Sequence, residues 1–371
     1  MKKERILHIS TAHQPTDPRV VYKQCRTLAQ VYEVYCAIPN AVPGVAPEIR
    51  FIRLPYFKRV IWRTLITCPL IVLRCLWLRP RVVHVYVPEF IPFAFLFKWT
   101  GSAVIYEVQE NLYKKMHLKT FNRGWLLERA FRYFDKLARQ QFTLIFTEHG
   151  YLDTYTDLAK PYAVVYNYPL LQDILPYRRP YRRPQDPITF FYIGWLTFER
   201  AFDAMLEAFV QLKKRYPSFT VHLFGRQTFS QYDLECIPAY QVVKENLVFY
   251  GYTNQPEALP YAINAVAGIA LLKPVGDYPD SYTTKMFEYM ALGLPVLTSD
   301  FPLYQDVVER HRCGFCVDPT DTAAVADRLI WLIEHRDEAE AMGRRGYEAV
   351  QREYSWATEA EKLLEIYASL R

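Results

Sequence analysis

The feature that most restricts this chain is a recurrence. Short runs rich in Val, Ile, Leu, Phe and Tyr alternate with helix-like stretches, and the pattern occurs twice along 371 residues. In the first half, Ile6–Ser10, Glu33–Ile38, Val82–Val87, Ala103–Val108 and Thr143–Thr147 read as buried strands, and a helix is expected from about Val20 to Gln30. In the second half, strands are expected at Ile188–Ile193, Thr220–Phe224, Leu247–Tyr250, Ala267–Leu272 and Val296–Thr298, with helices at Ala201–Arg215 and Thr322–His335. Strands that alternate with helices pair in parallel and are covered on both faces, so the expected class is α/β with two doubly wound sheets. Between the halves, Pro176–Pro184 packs three prolines and four arginines into nine residues, which no sheet interior accepts. The expected division is residues 1–175, a linker at 176–187, a second domain at 188–354, and a last helix, Thr358–Leu370, in a C-terminal segment 355–371.

The stretch with most chemistry is Lys273–Asp300. It places an acid at Asp280, small polar residues at Ser281, Thr283 and Thr284 beside Tyr282, then Lys285 and Glu288 on a helix. Gly293–Leu297 then returns into a buried strand. A helix that opens on such residues offers unpaired N–H groups and the positive end of its dipole to a diphosphate. Lys285 adds a charge in the first turn, and Glu288 stands one turn further on, where a ribose diol would meet it. A plainer account exists, because Met286, Phe287, Met290, Ala291 and Leu294 recur at helical spacing and suit a core face. On that account Glu288 and Lys285 are solvated neighbours.

Charge and cysteine usage narrow the class. The net charge is +6, from 45 basic and 39 acidic residues, and no zinc-finger or RNA-binding signature accompanies it, so nucleic acid is not an expected partner. Seven scattered cysteines point to a reducing compartment, and Cys313 and Cys316 lack the further ligands zinc requires. The N-terminus enters a strand at once and no apolar run of spanning length is read, so a cytoplasmic chain is expected. From Arg50 to Val83 there are eight Lys or Arg residues and no acid, interleaved with Trp62, Leu65, Ile66, Leu73 and Trp77. That composition suits either a helix lying on anionic lipid, with Arg59 and Arg63 among its cations, or a domain helix with a solvated basic face. Pro69 is expected to break or kink it.

The chain resembles retaining glycosyltransferases of the GT-B fold, of the broad family 4 group. Asp280 and Glu288, separated by seven residues, match that family's acidic pair, with Asp in place of the usual first Glu. Lys285–Val296 resembles its K-x-F-E-Y-M-A-x-G-x-P-V core, and Cys313–Pro319 the strand and loop that follow. His13–Val20, containing Asp17 and Arg19, resembles the first-strand loop of one branch. Glu107–Glu110 resembles Y-D-V-H-E, with Gln109 where relatives carry His. Tyr166–Pro169 resembles N-Y-P. Gly194 with Arg200 resembles a phosphate clamp whose first basic position is here Trp195, and Gly251–Tyr252 a loop that holds the base.

The resemblance implies a hexosyltransferase that moves a sugar from a nucleotide-diphosphate donor to a cell-surface glycan or lipid-linked acceptor with retention. No metal or other cofactor is expected. The implied catalytic set is Asp280, Glu288, Arg200, Lys285 and Glu110. Donor contacts fall to Gly194, Trp195, Gly251, Tyr252, Ser281, Tyr282, Thr283, Thr284 and Gln109, and Asp17 with Arg19 faces the acceptor or closes the cleft. A cleft between two sheets facing each other is implied, with the last helix packed back on the first domain. A nucleotide-sugar 2-epimerase of the same shape and a non-catalytic GT-B partner protein, the latter motivated by Gln109 and Trp195, are the competing readings.

Overall fold

A computed structural model describes residues 3–42, 44, 46–115, 125–178 and 186–370. The chain forms two compact units, residues 1–167 with 356–371, and residues 168–355. Of the expected linker, Pro176 and Tyr177 close a short helical turn that belongs to the second unit, and 179–185 lie outside the described residues.

The first unit is built on seven parallel strands: β1 (Arg5–Ile9), β2 (Glu33–Pro39), β3 (Arg50–Leu54), β4 (Val82–Val85), β5 (Ala103–Val108), β6 (Thr143–Phe146) and β7 (Tyr162–Val164). Their order is β3-β2-β1-β4-β5-β6-β7. The central strands are buried on both faces, their mostly apolar runs interrupted by the buried His8 and His84. Edge strands β3 and β7 are partly exposed and carry no such run, so the sequence reading passes over both.

The helix after β1 is wound more widely than expected: α1 (Pro18–Cys25) has π-type turns and runs on through Arg26–Ala29. Asp17 caps it, its carboxylate accepting from the N–H groups of Arg19 and Val20 at 3.0 and 2.8 Å. The region around Pro69 corrects the sequence reading. Val60–Leu78 is one continuous helix, α2, long and apolar enough by length and composition to cross a membrane. Pro69 does not interrupt it because wider turns at Arg63–Thr67 absorb the missing N–H. Beside it pack α3 (Ile91–Trp99) and α4 (Trp125–Gln141), and residues of all three share one apolar cluster with one face of the sheet.

The second unit has six parallel strands: β8 (Thr189–Ile193), β9 (Thr220–Phe224), β10 (Leu247–Gly251), β11 (Ala265–Ala270), β12 (Val296–Ser299) and β13 (Gly314–Val317), ordered β10-β9-β8-β11-β12-β13. Three of its helices matter below: α5 (Phe202–Arg215), α6 (Thr284–Ala291) and α7 (Thr322–Glu334). Helices α5 and α7 cover one face through Phe202, Leu206, Phe209, Val325 and Leu329. Cys313 is buried just before β13, and Cys316, within it, is half-buried.

The final helix, α8 (Trp356–Ser369), belongs to the first unit. Trp356 donates to the Thr27 hydroxyl at 2.9 Å, Glu359 accepts from the Tyr166 N–H at 2.8 Å, and Arg81 reaches the Leu370 carbonyl at 2.6 Å.

One position tests the second sheet directly. Gly225 follows β9 with φ +141°, and a Cβ there would stand 1.8 Å from the Gly194 carbonyl oxygen. Gly225→Ala is expected to cost about 2 kcal/mol or more, from strain and steric overlap together, read as a lowered midpoint in urea.

Candidate functional site: an anion cradle in the second unit

Strand β8 ends at Gly194, which turns with φ +143°. Its N–H donates to the Phe224 carbonyl at 2.7 Å, and the Gly225 N–H donates to the Gly251 carbonyl at 2.7 Å. Three glycines with positive φ thus stand in a row at the carboxyl ends of three neighbouring parallel strands, where sheets of this type bind ligands. The backbone there is bare because side chains would fill the space.

Two cations close on Gly194 from different elements. A Cβ at Gly194 would meet Lys285 Cδ at 3.3 Å, Arg200 Nη1 at 3.4 Å and Lys285 Nζ at 3.5 Å. Arg200 sits on a short turn, Phe198–Arg200, whose start is held by the Thr197 hydroxyl accepting from the Arg200 N–H at 3.2 Å. The same turn is tied to the loop after β11, since the Lys273 N–H donates to the Glu199 carbonyl at 2.9 Å and Lys273 pairs with Asp203 at 2.6 Å. Lys285 lies in the first turn of α6 and is 4 % exposed, so it is no solvated neighbour. Its ammonium has no hydrogen-bond partner and lies 4.0 Å from the centre of the Tyr192 ring. Burial, and then the charge of Arg200, lower its pKa well below the ordinary lysine range, against which Glu288 pulls weakly upward.

The start of α6 has the backbone that the sequence suggests. Thr283 is extended at the cap position, yet no side chain caps the helix. The Ser281 hydroxyl donates instead to the Asp277 carbonyl at 2.9 Å, and Tyr304 holds the Ser281 carbonyl at 3.0 Å. Tyr282 stacks on Tyr304, and Thr284 begins the helix. Glu288, half-buried one turn on, accepts from the Gln255 amide at 3.1 Å. Asp280 ends the turn Tyr278–Asp280 before the helix and is partly exposed. Tyr252 is 68 % exposed with the Arg226 guanidinium 5.0 Å from its ring, and Trp195 is half exposed while its carbonyl accepts from the Tyr192 hydroxyl at 2.7 Å.

This arrangement is a cradle for a multiply charged anion. Bare backbone, one buried ammonium, one guanidinium and an uncapped helix start converge where a diphosphate would replace water. Gly225, Tyr192 and Gln255 were not singled out from the sequence. Gly225 alone carried a signal, a glycine directly after a buried strand.

The remaining sequence candidates lie in the first unit and form a different structure. Arg19 is buried and pairs at 2.9 Å with buried Glu107, and it also donates to the Val165 carbonyl at 2.8 Å. Its partner is therefore neither the neighbouring Asp17, which caps α1, nor an open acceptor surface. Gln24 and Gln109 both donate to Glu107, at 2.5 and 2.8 Å. His84 stands 3.4 Å from the same carboxylate and shares a 2.8 Å hydrogen bond with Tyr367 of α8. Burial alone would raise the Glu107 pKa, but Arg19 and then His84 outweigh it and hold the group well below the usual carboxylate range. Burial lowers the pKa of His84, against the pull of Glu107, and lowers that of His8 further. Glu110, two residues beyond β5, is half-buried. Among the described residues no group of three or more His, Cys, Asp or Glu side chains is arranged to hold a metal.

Residues 173–349, most of which lie in the second unit, match the family described as Glycosyl transferases group 1. The phosphatidyl-myo-inositol mannosyltransferase of Mycobacterium leprae is 32% identical over 91 residues, 24% of each chain. The D-inositol 3-phosphate glycosyltransferase of Nocardia farcinica is 30% identical over 187 residues, 50% of this chain and 41% of that one. The matches thus span less than half the length of these curated relatives. Among solved structures, sucrose-phosphate synthase from Thermosynechococcus elongatus superposes with a TM-score of 0.74 at 16% identity, over 99% of both chains. Anabaena HepE in complex with UDP-glucose gives 0.73 at 12% identity, over 98% of this chain and 99% of that one. These likenesses, with the two parallel-sheet units, establish the GT-B fold.

Two outcomes follow from the electrostatics. Lys285→Met is expected to keep or raise the melting temperature, since it removes a buried unpartnered ammonium, while weakening diphosphate binding about 10- to 100-fold by calorimetry. A bound anion raises the lowered Lys285 pKa again, so in the pH range above the ligand-free pKa binding takes up a proton and affinity falls as pH rises. The unfolded chain holds that proton up to the ordinary lysine range, so ligand-free stability gains from this group as pH rises through the same window. In the first unit, Glu107→Ala leaves Arg19 buried without its carboxylate and is expected to cost about 3–5 kcal/mol in denaturant unfolding.

Proposed function

We propose that the chain uses its group 1 glycosyltransferase domain to move a sugar from a nucleotide-diphosphate donor to a cell-surface glycan or lipid-linked acceptor. The observation that carries this reading is the Lys285 ammonium, buried without a partner beside Arg200 and Gly194 at an uncapped helix start. An ammonium buried at such cost needs an anion, and a diphosphate fits both the charge and the backbone.

In this reading the donor diphosphate lies across Gly194 and the N–H groups at the start of α6, between Arg200 and Lys285. Glu288, oriented by Gln255, takes the ribose diol, and Gly251 with Tyr252 holds the base. Asp280 holds hydroxyls of the sugar, with Ser281, Tyr282, Thr283 and Thr284 lining its approach and Trp195 beside the phosphates. The anomeric carbon–oxygen bond breaks, and negative charge grows on the departing diphosphate. Preorganised cations stabilise that charge without reorganising at the moment of reaction. The acceptor oxygen bonds to the anomeric carbon on the face the diphosphate leaves, and its proton passes to the departing phosphate oxygen. The transfer is then retaining and needs neither a carboxylate nucleophile nor a metal ion.

Support comes from relatives as well as geometry. The Mycobacterium leprae relative is named for mannosyl transfer to phosphatidyl-myo-inositol, and Anabaena HepE was solved with UDP-glucose. A cytoplasmic enzyme acting on a lipid-linked or polysaccharide acceptor belongs to the same reading.

The test begins with melting temperatures in the presence of UDP, GDP and their sugars, because a ligand of the native state alone raises the transition. One nucleotide diphosphate should raise it clearly, and slow release of free sugar from the matching donor should disappear in Glu288→Ala. No shift with any nucleotide, or hydrolysis unchanged in that variant, would overturn the assignment. Appearance of an epimeric nucleotide sugar without transfer would replace it with the epimerase.

A further inference from the structure

Helix α2 carries two apolar stripes. The inner one, Thr67, Cys68, Ile71, Cys75 and Leu78, is buried in the first unit's own core. The outer one, Trp62, Leu65, Ile66, Leu73 and Trp77, remains exposed, with Leu73 at 78 % and Trp77 at 71 %. A helix needs one such stripe to pack on its domain, and the second has no described partner in this chain. The helices that follow on the same face of the sheet also expose tryptophan: Trp99 at the end of α3 is 76 % exposed and Trp125 at the start of α4 is 70 % exposed. Four of the chain's seven tryptophans are thus exposed on three neighbouring helices that cover one face of one sheet.

The charges on α2 and the residues flanking it, Arg50 to Val83, are of one sign. Of the eight basic residues between Arg50 and Val83, three are taken up by acids: Arg50 by Glu33, Arg63 by Glu89 and Arg81 by Glu4. Arg53, Arg59, Arg74 and Arg79 are exposed and form no ion pair among the described residues. Arg63 is 13 % exposed at its side chain, so reversing its charge would break the fold rather than probe a surface.

We propose that this face docks the first unit on an anionic lipid bilayer, with α2 lying in the interfacial plane. Trp at the headgroup level, apolar side chains below it and arginines beside lipid phosphates match what the face displays. Spanning the bilayer would require α2 to abandon its inner stripe. It would also break the helix's ties to Glu89, where Arg63 binds the carboxylate at 3.1 Å and the Cys68 thiol lies 3.8 Å from the carbonyl. A second copy is a poorer occupant, because a symmetric pairing sets the same unpaired arginines against each other. The proposal does not depend on the transferase reading.

The experiment is co-sedimentation of the full chain with vesicles of phosphatidylcholine alone and with about a third phosphatidylglycerol, alongside tryptophan emission with and without brominated lipid. The expected result is binding to the anionic vesicles, a blue shift and quenching. Leu73→Glu with Trp77→Glu, and separately Arg59→Glu with Arg74→Glu, should each weaken vesicle binding at least about tenfold with melting temperature unchanged. All four side chains are exposed, and the one hydrogen bond among them, Arg74 to the Arg53 carbonyl at 2.9 Å, lies at the surface, so the melting temperature reports whether the fold is kept. No wild-type binding, equal binding to neutral vesicles, or variants that bind like the wild type would overturn the proposal. So would self-association of the wild type that the Leu73/Trp77 variant abolishes, without vesicle binding, because it identifies a second copy as the occupant. Vesicle docking is read whether or not nucleotides bind, so the two readings fail separately.

Discussion

The second unit depends on one close approach of backbone to backbone. Gly225 and Gly194 lie side by side at the ends of β9 and β8 with no room for a methyl group between them. That approach lets the ladder continue past both strands, the Gly194 N–H meeting Phe224 and the Gly225 N–H meeting Gly251. It also leaves Gly194 without a side chain where Arg200 and Lys285 arrive from separate elements. The cradle exists because three strand ends are bare and two cations fill the margin. Neither cation sits on a strand, so the sheet supplies the floor and the following elements supply the charge.

Much of this architecture was legible in the chain itself, for reasons that differ between elements. Strands β5 and β9 have the bounds their sequences suggest, because strands covered on both faces are dominated by Val, Ile, Leu, Phe and Tyr even where Glu107 or His222 interrupts the run. Strands β3 and β7 were passed over because an edge strand needs no such run. The basic stretch after Arg50 was read with a break at Pro69, yet π-type turns carry the helix through, and such turns have no periodic signature.

The polar sites divide in the same way. Lys285 and Glu288 could be placed on a helix from spacing alone, but spacing cannot tell a buried lysine from a solvated one. Its burial comes from Tyr192 and Gly194, far earlier in the chain. Arg19 shows the same limit. Its carboxylate is Glu107, 88 residues away, a partner that no local spacing indicates. A local reading finds caps and helix faces, while long-range ion pairs are fixed by the order in which strands assemble.

The last helix joins a unit whose other residues all precede position 168. Its Tyr367 hydroxyl meets His84, so one edge of that polar interior is supplied by residues made after the whole second unit. A ribosome therefore delivers the second unit before it delivers α8. Until then the His84 and Thr27 groups that α8 will satisfy must be met by water, and the first-made half of the molecule waits on a segment made after its neighbour.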